Sequence, residues 1–190
     1  MAKTGERKAQ ILQTLASMLE APKAERVTTA LLAARLDVSE AALYRHFASK
    51  AQMFEGLIEF IEQTLFSLIN RIQSEEQDAM KQVEATLVAL LGFAQKNPGM
   101  TRVLIGDALV NEDERLQARV NHLIDRLEAS LRQSTRLAVT AGQLPQDWDV
   151  NAYANTLVAY VIGRWHLFAK SGFKRVPTEA WPLHWRVFSA

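Results

Sequence analysis

Between Val27 and Lys50 the chain reads VTTALLAARLDVSEAALYRHFASK, and Ser39, Tyr44, Arg45, His46 and Lys50 gather hydrogen-bond donors on or beside one short segment. Ala41 and Ala42 keep that segment slim enough for its backbone to approach base edges. Leu32, Leu36, Val38, Leu43 and Phe47 supply an apolar side that can pack it in place. Donors and cations on a slim, supported helix suit the recognition of phosphate oxygens and base edges. An ordinary helical hairpin with solvated polar residues carries the same pattern, and the pattern alone leaves that alternative open.

Other chemistries find less support. His46, His122, His166 and His184 have no metal-ligand spacing, and the chain has no cysteine. No Walker-type or dinucleotide glycine loop is present. Glu59 and Glu62 flank Phe60 on one predicted helix, which does not make a paired-carboxylate site. The expectation is a protein that is not an enzyme and that needs no metal and no cofactor.

The segment must be positioned by helices, because helical period dominates and no stretch alternates as a strand would. A first helix is expected over about 4–20 with Ile11, Leu12, Leu15, Met18 and Leu19 on one side, and APKAERV breaks it. Thr28 can cap a second helix, with Val27 and Leu32 as a staple across the cap. Asp37 takes the turn, where a left-handed backbone is tolerated. Ser39 caps a third helix ending near Phe47, and Ser49 with Gln52 opens a long fourth. A fifth helix over about 78–96 ends at KNPG, and a sixth continues to about Leu109. Asn111 with Glu114 opens a seventh that Gly142 ends, an eighth covers about 149–171, and a short ninth starts near Pro182. The fold class is therefore all-α: a three-helix head over 1–48 on a larger helical body over 49–190.

The chain has 190 residues, 48% hydrophobic and 23% charged, with a net charge of +1. Residues 1–50 carry eight Lys/Arg against five acids, a basic front on a slightly acidic body. The apolar positions of the N-terminus are interrupted at helical intervals, unlike a signal peptide or membrane span. A cytoplasmic protein without a membrane partner is expected.

TTALLAARLDVSEAALYRHFASK resembles the helix-turn-helix signature of the TetR family of dimeric DNA-binding regulators. Asp37 stands where that family commonly has Gly. The resemblance implies a TetR-like fold and a homodimer on palindromic double-stranded DNA, with one or several dimers per site. Paired heads then sit about 34–36 Å apart, or a multiple of that. Thr28, Tyr44 and Lys50 are the candidates for phosphate contacts. Ser39, Glu40 and Ala41 begin the recognition helix, where Glu40 can accept from a cytosine amino group and Ala41 can meet a thymine methyl. Glu40 as a plain helix-start acid stays open. So does a merely solvated arm at Lys3, Arg7 and Lys8, which can otherwise reach the backbone or a minor groove.

The likeness continues through MFEGLIEFIE, LLGFAQKNPGMTRVL and ERLQARVNHLIDRLEASLRQ, and points to a branch of the family that works in nucleoid occlusion. That branch implies a second partner, the tubulin-like GTPase FtsZ, met by Phe60, Gly92, Lys96 and Asn97. On a helical wheel Phe60 and Phe66 each lie about 120° from the centre of the fourth helix's apolar stripe. Neighbouring helices covering both rings is the alternative. The dimer is expected through the last two helices, with Tyr153, Leu157, Tyr160, Val161, Trp165, Phe168 and Trp185 facing the partner. Burial of the eighth helix within one subunit is the alternative there. A second function stays open, a ligand-responsive repressor with Trp148, Trp165, Phe93 and Met100 lining a pocket.

Overall fold

The computed structural model describes residues 4–21 and 27–189, all-helical among those residues. The helices are α1 Thr4–Met18, α2 Thr29–Arg35, α3 Glu40–Tyr44, α4 Lys50–Glu75, α5 Ala79–Lys96, α6 Pro98–Leu104, α7 Glu114–Thr140, α8 Val150–Lys170 and α9 Trp181–Phe188, with a 3₁₀ turn at Asp107–Leu109. They form two compact units, one of residues 1–61 with 97–120, the other of 62–96 with 121–190.

In the first unit the helix starts are locally encoded. The Thr28 hydroxyl accepts from the Leu31 N–H at 3.2 Å, and the Ser39 hydroxyl from the Ala42 N–H at 3.3 Å. Between them Asp37 has φ 53°, the left-handed turn that its residue type permits. At α4 the Ser49 hydroxyl accepts from the Gln52 N–H at 3.1 Å, and the Gln52 side chain reaches back to the N–H of Ala48 at 2.8 Å. The box therefore closes one residue earlier than a standard one. Ile11, Leu15, Leu32, Leu43, Phe54 and Leu57 fill the core. α6 packs on α1 so closely that a Cβ at Gly99 would lie 1.9 Å from the Ala16 carbonyl oxygen. Arg102 fastens the junction by donating to the carbonyls of Leu19 at 3.3 Å and Ala21 at 3.1 Å, and to the Asp107 carboxylate at 2.8 Å.

Three boundaries differ from the sequence expectation. α3 ends at Tyr44 instead of near Phe47. α6 stops at Leu104, because Gly106 turns left-handed (φ 78°) and restarts the chain as a 3₁₀ turn. Asn111 does not cap α7. It has φ 66°, and Asp113 serves instead, accepting from the Arg115 N–H at 3.0 Å.

In the second unit α5 packs against α8. Leu87, Leu90, Leu91, Leu127, Leu131 and Leu157 are buried in this unit, as is Trp165, whose indole N–H donates to the Leu90 carbonyl at 3.1 Å. The buried Gln82 is satisfied by the Ser134 hydroxyl at 3.2 Å and the Glu76 carbonyl at 2.7 Å. Asp149 caps α8 through the N–H groups of Asn151 and Ala152.

Candidate nucleic-acid interface

The α2–α3 pair presents Thr28, Ser39, Glu40, Ala41, Tyr44 and Arg45 as exposed residues, so six of the residues expected at DNA share the outer surface of the head. α3 is held beneath by Leu43, 1% exposed, and by Phe47. His46 differs. It is half-buried and its Nδ1 is enclosed with no protein partner, so the ring faces inward more than a DNA contact requires.

Glu40 is engaged. Its carboxylate accepts from the Thr29 hydroxyl at 2.6 Å, and that hydroxyl lies 3.5 Å from the Tyr44 hydroxyl, the long limit of a hydrogen bond. Thr29 thus ties the start of α2 to both ends of α3. Sequence reasoning chose Thr28 for its capping position and passed over Thr29. The two residues look alike until α3 is placed across from α2.

Lys50 is engaged too. Its ammonium pairs with the Glu112 carboxylate and lies 5.6 Å from the Phe54 ring centre. Glu112 was not singled out in the sequence, where it is one acid in an NEDE run. Lys8 sits over the Phe47 ring at 5.5 Å and Arg7 donates to Gln10 at 2.6 Å, while Lys3 lies outside the described residues.

Of the residues expected at FtsZ, Phe60 and Asn97 belong to the first unit, Gly92 and Lys96 to the second. Phe60 is 47% exposed, off the core stripe as its wheel position requires. Lys96 is exposed at the end of α5, and a Cβ at Gly92 would meet nothing within 4 Å. Asn97 is half-buried and its carbonyl accepts from the Thr101 N–H at 2.9 Å. Phe66 is covered by Arg126, whose guanidinium sits 4.0 Å from the ring centre and pairs with Glu62.

The expected dimer face divides. Leu157, Val161, Trp165 and Phe168 are buried in the protomer's own core, with Trp165 at 0% exposure, and leave a partner no side-chain surface. The reason is α5, which claims that side of α8. Tyr153 and Tyr160 are half-buried under α9. Their hydroxyls meet the Phe188 carbonyl at 2.7 Å and His184 Nδ1 at 2.8 Å. Burial pushes both phenols up, Tyr153 to about 12. Trp185 stacks on Trp181 at 5.8 Å. α8 turns outward Asn151, Ala152 and Asn155 near its start and a stripe of Thr156, Ala159, Gly163, His166, Leu167 and Lys170 along the rest, and α9 exposes Leu183 and Val187.

The aromatic pocket of the repressor alternative is core instead. Phe93 and Trp165 are buried in the second unit, Met100 in the first, and Trp148 packs on a small cluster of Ala79, Ala138 and Leu144. A cleft of about 220 Å³ in the first unit is lined by Leu19, Val27, Phe54, Arg102, Asp107 and Glu112, among others. Its charged groups are already paired, Arg102 with Asp107 and Glu112 with Lys50. Among the described residues no group of three or more His, Asp or Glu could hold a metal, and no helix is long and apolar enough to cross a membrane.

Comparisons with known proteins give this geometry a family. A model described as "Bacterial regulatory proteins, tetR family" matches residues 11–57, the head. A second, described as "Tetracyclin repressor-like, C-terminal domain" and of SlmA-like type, matches residues 77–190. The nucleoid occlusion factor SlmA of Alteromonas mediterranea is 50% identical over 98% of this chain and 95% of its own. The chain belongs to the SlmA family. The SlmA of Vibrio cholerae is 49% identical over 97% of this chain and 94% of its own.

Solved structures support the fold at lower identity than SlmA proteins share. PfmR, a TetR-family regulator of Thermus thermophilus, superposes with a TM-score of 0.78 at 21% identity, covering 94% of this chain and 96% of its own. AibR, solved with isovaleryl coenzyme A and operator DNA, gives 0.69 at 16%, covering 84% and 86%. The SlmA match runs through both units, so it includes the head and the helical body together.

Proposed function

We propose that this chain binds palindromic DNA as a homodimer and, while bound in the nucleoid, restrains assembly of FtsZ over the chromosome. The observation that carries the reading is identity of about half to SlmA nucleoid occlusion factors along 98% of the chain. The head supplies the DNA function. Thr28, Tyr44 and Lys50 hold phosphates, and Thr28 does so at the start of α2, where free N–H groups favour an anion. Ser39, Glu40 and Ala41 read base edges, and Arg45 adds a flanking cation. His46 supports α3 from inside. Residues 1–48 serve as the DNA-binding domain and 49–190 as the dimerisation and partner-binding domain.

The dimer forms through the outward stripe of α8 with Leu183 and Val187 of α9, and Trp185 beside them. Leu157, Val161, Trp165 and Phe168 support that surface from behind. Ala159 and Gly163 let two helices approach closely. FtsZ is met by Phe60, Gly92, Lys96 and Asn97.

FtsZ assembly with GTP, followed by sedimentation and light scattering, tests the reading. The protein is compared alone, with random duplex, and with a palindrome selected from random DNA. Loss of polymer only with the palindrome supports it, and Phe60→Ala or Lys96→Ala should then abolish the effect while DNA binding persists. Normal assembly in every arm, with the palindrome still bound, leaves a TetR-type repressor instead.

A further inference from the structure

Lys50 opens α4, and the DNA reading assigns its ammonium to a phosphate. In the structure that ammonium is in direct ion-pair contact with Glu112. The Lys50 and Glu112 side chains are only 23% and 12% exposed. Glu112 lies 62 residues along the sequence, between α6 and α7, so the contact is tertiary.

The segment that carries Glu112 is braced on every side. Its N–H donates to the Leu109 carbonyl at 3.0 Å. Gly106 and Asn111 fix two left-handed bends around it. Upstream, Arg102 anchors Asp107 and the end of α1. The neighbouring acid Asp113 is taken by Arg115, whose guanidinium hydrogen bonds hold its carboxyl at about 2, and Glu55 also acts on Arg115. Glu112 is therefore a fixed carboxylate committed to one lysine.

We propose that Glu112 is an internal competitor for the DNA backbone: it holds the Lys50 ammonium in the free chain and sets how tightly each head binds. Carboxylate and phosphodiester oxygens are both anionic acceptors for an ammonium. DNA gains the Lys50 contact only by displacing Glu112, and the displaced carboxylate then faces a polyanion. The inference rests on the DNA-binding reading and adds an affinity-setting residue outside the head's own helices.

The test is a set of variants read by fluorescence anisotropy on the selected palindrome across a salt series. Even the modest coupling of a surface ion pair corresponds to a factor of roughly two to five per head. Glu112→Gln should therefore tighten a two-headed dimer by roughly five- to twentyfold. Glu112→Asp keeps the net charge, shortens the reach, and should tighten binding by less. In a Lys50→Gln background Glu112→Gln should tighten binding no more than Glu114→Gln does. Within the Glu112→Gln background, Lys50→Gln should lower the salt slope by about 0.9 per head. Glu114→Gln removes an exposed carboxylate from the same segment and measures the general field.

Equal tightening by Glu112→Gln with and without Lys50 overturns the proposal, as does unchanged or weaker binding with circular dichroism intact. A wild-type chain that selects no palindrome overturns the DNA reading itself, a separate result.

Discussion

Replacing Gly99 with alanine asks a methyl group to enter space that α1 already fills. The added carbon would lie 1.9 Å from the Ala16 carbonyl oxygen and 3.2 Å from the Leu19 Cβ. A carbon meets a carbonyl oxygen at about 3.3–3.6 Å, so α1 and α6 must separate by roughly 1.4 Å. The obstacle is backbone, which has no rotamer to change. The same movement stretches the Arg102 hydrogen bonds to the Leu19 and Ala21 carbonyls, at 3.3 and 3.1 Å, beyond useful length. Overpacking costs about 1–3 kcal/mol. Losing hydrogen bonds from a charged donor adds about 1.5–3 kcal/mol, and the better helix propensity of alanine returns about 1 kcal/mol. A net loss of about 1.5–5 kcal/mol lowers the melting temperature by roughly 3–20 °C. Thermal and urea unfolding measure the loss, and anisotropy on the palindrome should show weaker binding, since α1 supports the head. Gly5→Ala, where a Cβ meets nothing within 4 Å on a helix outside the proposed dimer face, is the control for melting. A Gly99→Ala protein with wild-type melting and affinity would refute the packing argument.

Gly92→Ala also adds a methyl into open space, so it should leave melting unchanged or slightly raised while weakening FtsZ inhibition. A matched fall in both would mean that the residue is structural. Ser39→Ala removes the cap of α3 and should cost about 1 kcal/mol in urea unfolding. Trp165→Ala empties the centre of the second unit and should cost about 3–5 kcal/mol, read as the largest fall in urea midpoint among these variants. The Tyr153 phenol, raised by burial to about 12, keeps its proton in the folded state after the unfolded chain has lost it near 10. Its contribution to stability is whole below pH 10 and is lost as pH rises from 10 towards 12. Ultraviolet titration should show it ionising near 12, and a midpoint near 10 in the folded protein would contradict its burial.

Much of the head was legible in the sequence. Thr28 and Ser39 cap the helices they precede, and Asp37 adopts the left-handed turn expected of it. Phe60 is exposed because its angle on α4 removes it from the apolar stripe. The dimer face was less legible. The apolar positions of α8 cover more than half its circumference, and nothing within that helix says which part α5 will take. The end of α6 was missed because Gly106 reads as an ordinary helical glycine until its φ of 78° is seen.

By itself the sequence determined where most of the helices begin and which side of each is apolar, the start of α7 at Asp113 excepted. Caps, staples and stripes join residues three to five positions apart, so the local chain contains all of the partners. The tertiary structure alone decided that Thr29 holds Glu40, that Glu112 holds Lys50, and that Gly99 admits the Ala16 carbonyl. These partners lie 11, 62 and 83 positions apart. They meet only because the helices pack in one arrangement, and the period of a single helix carries no information about its neighbour.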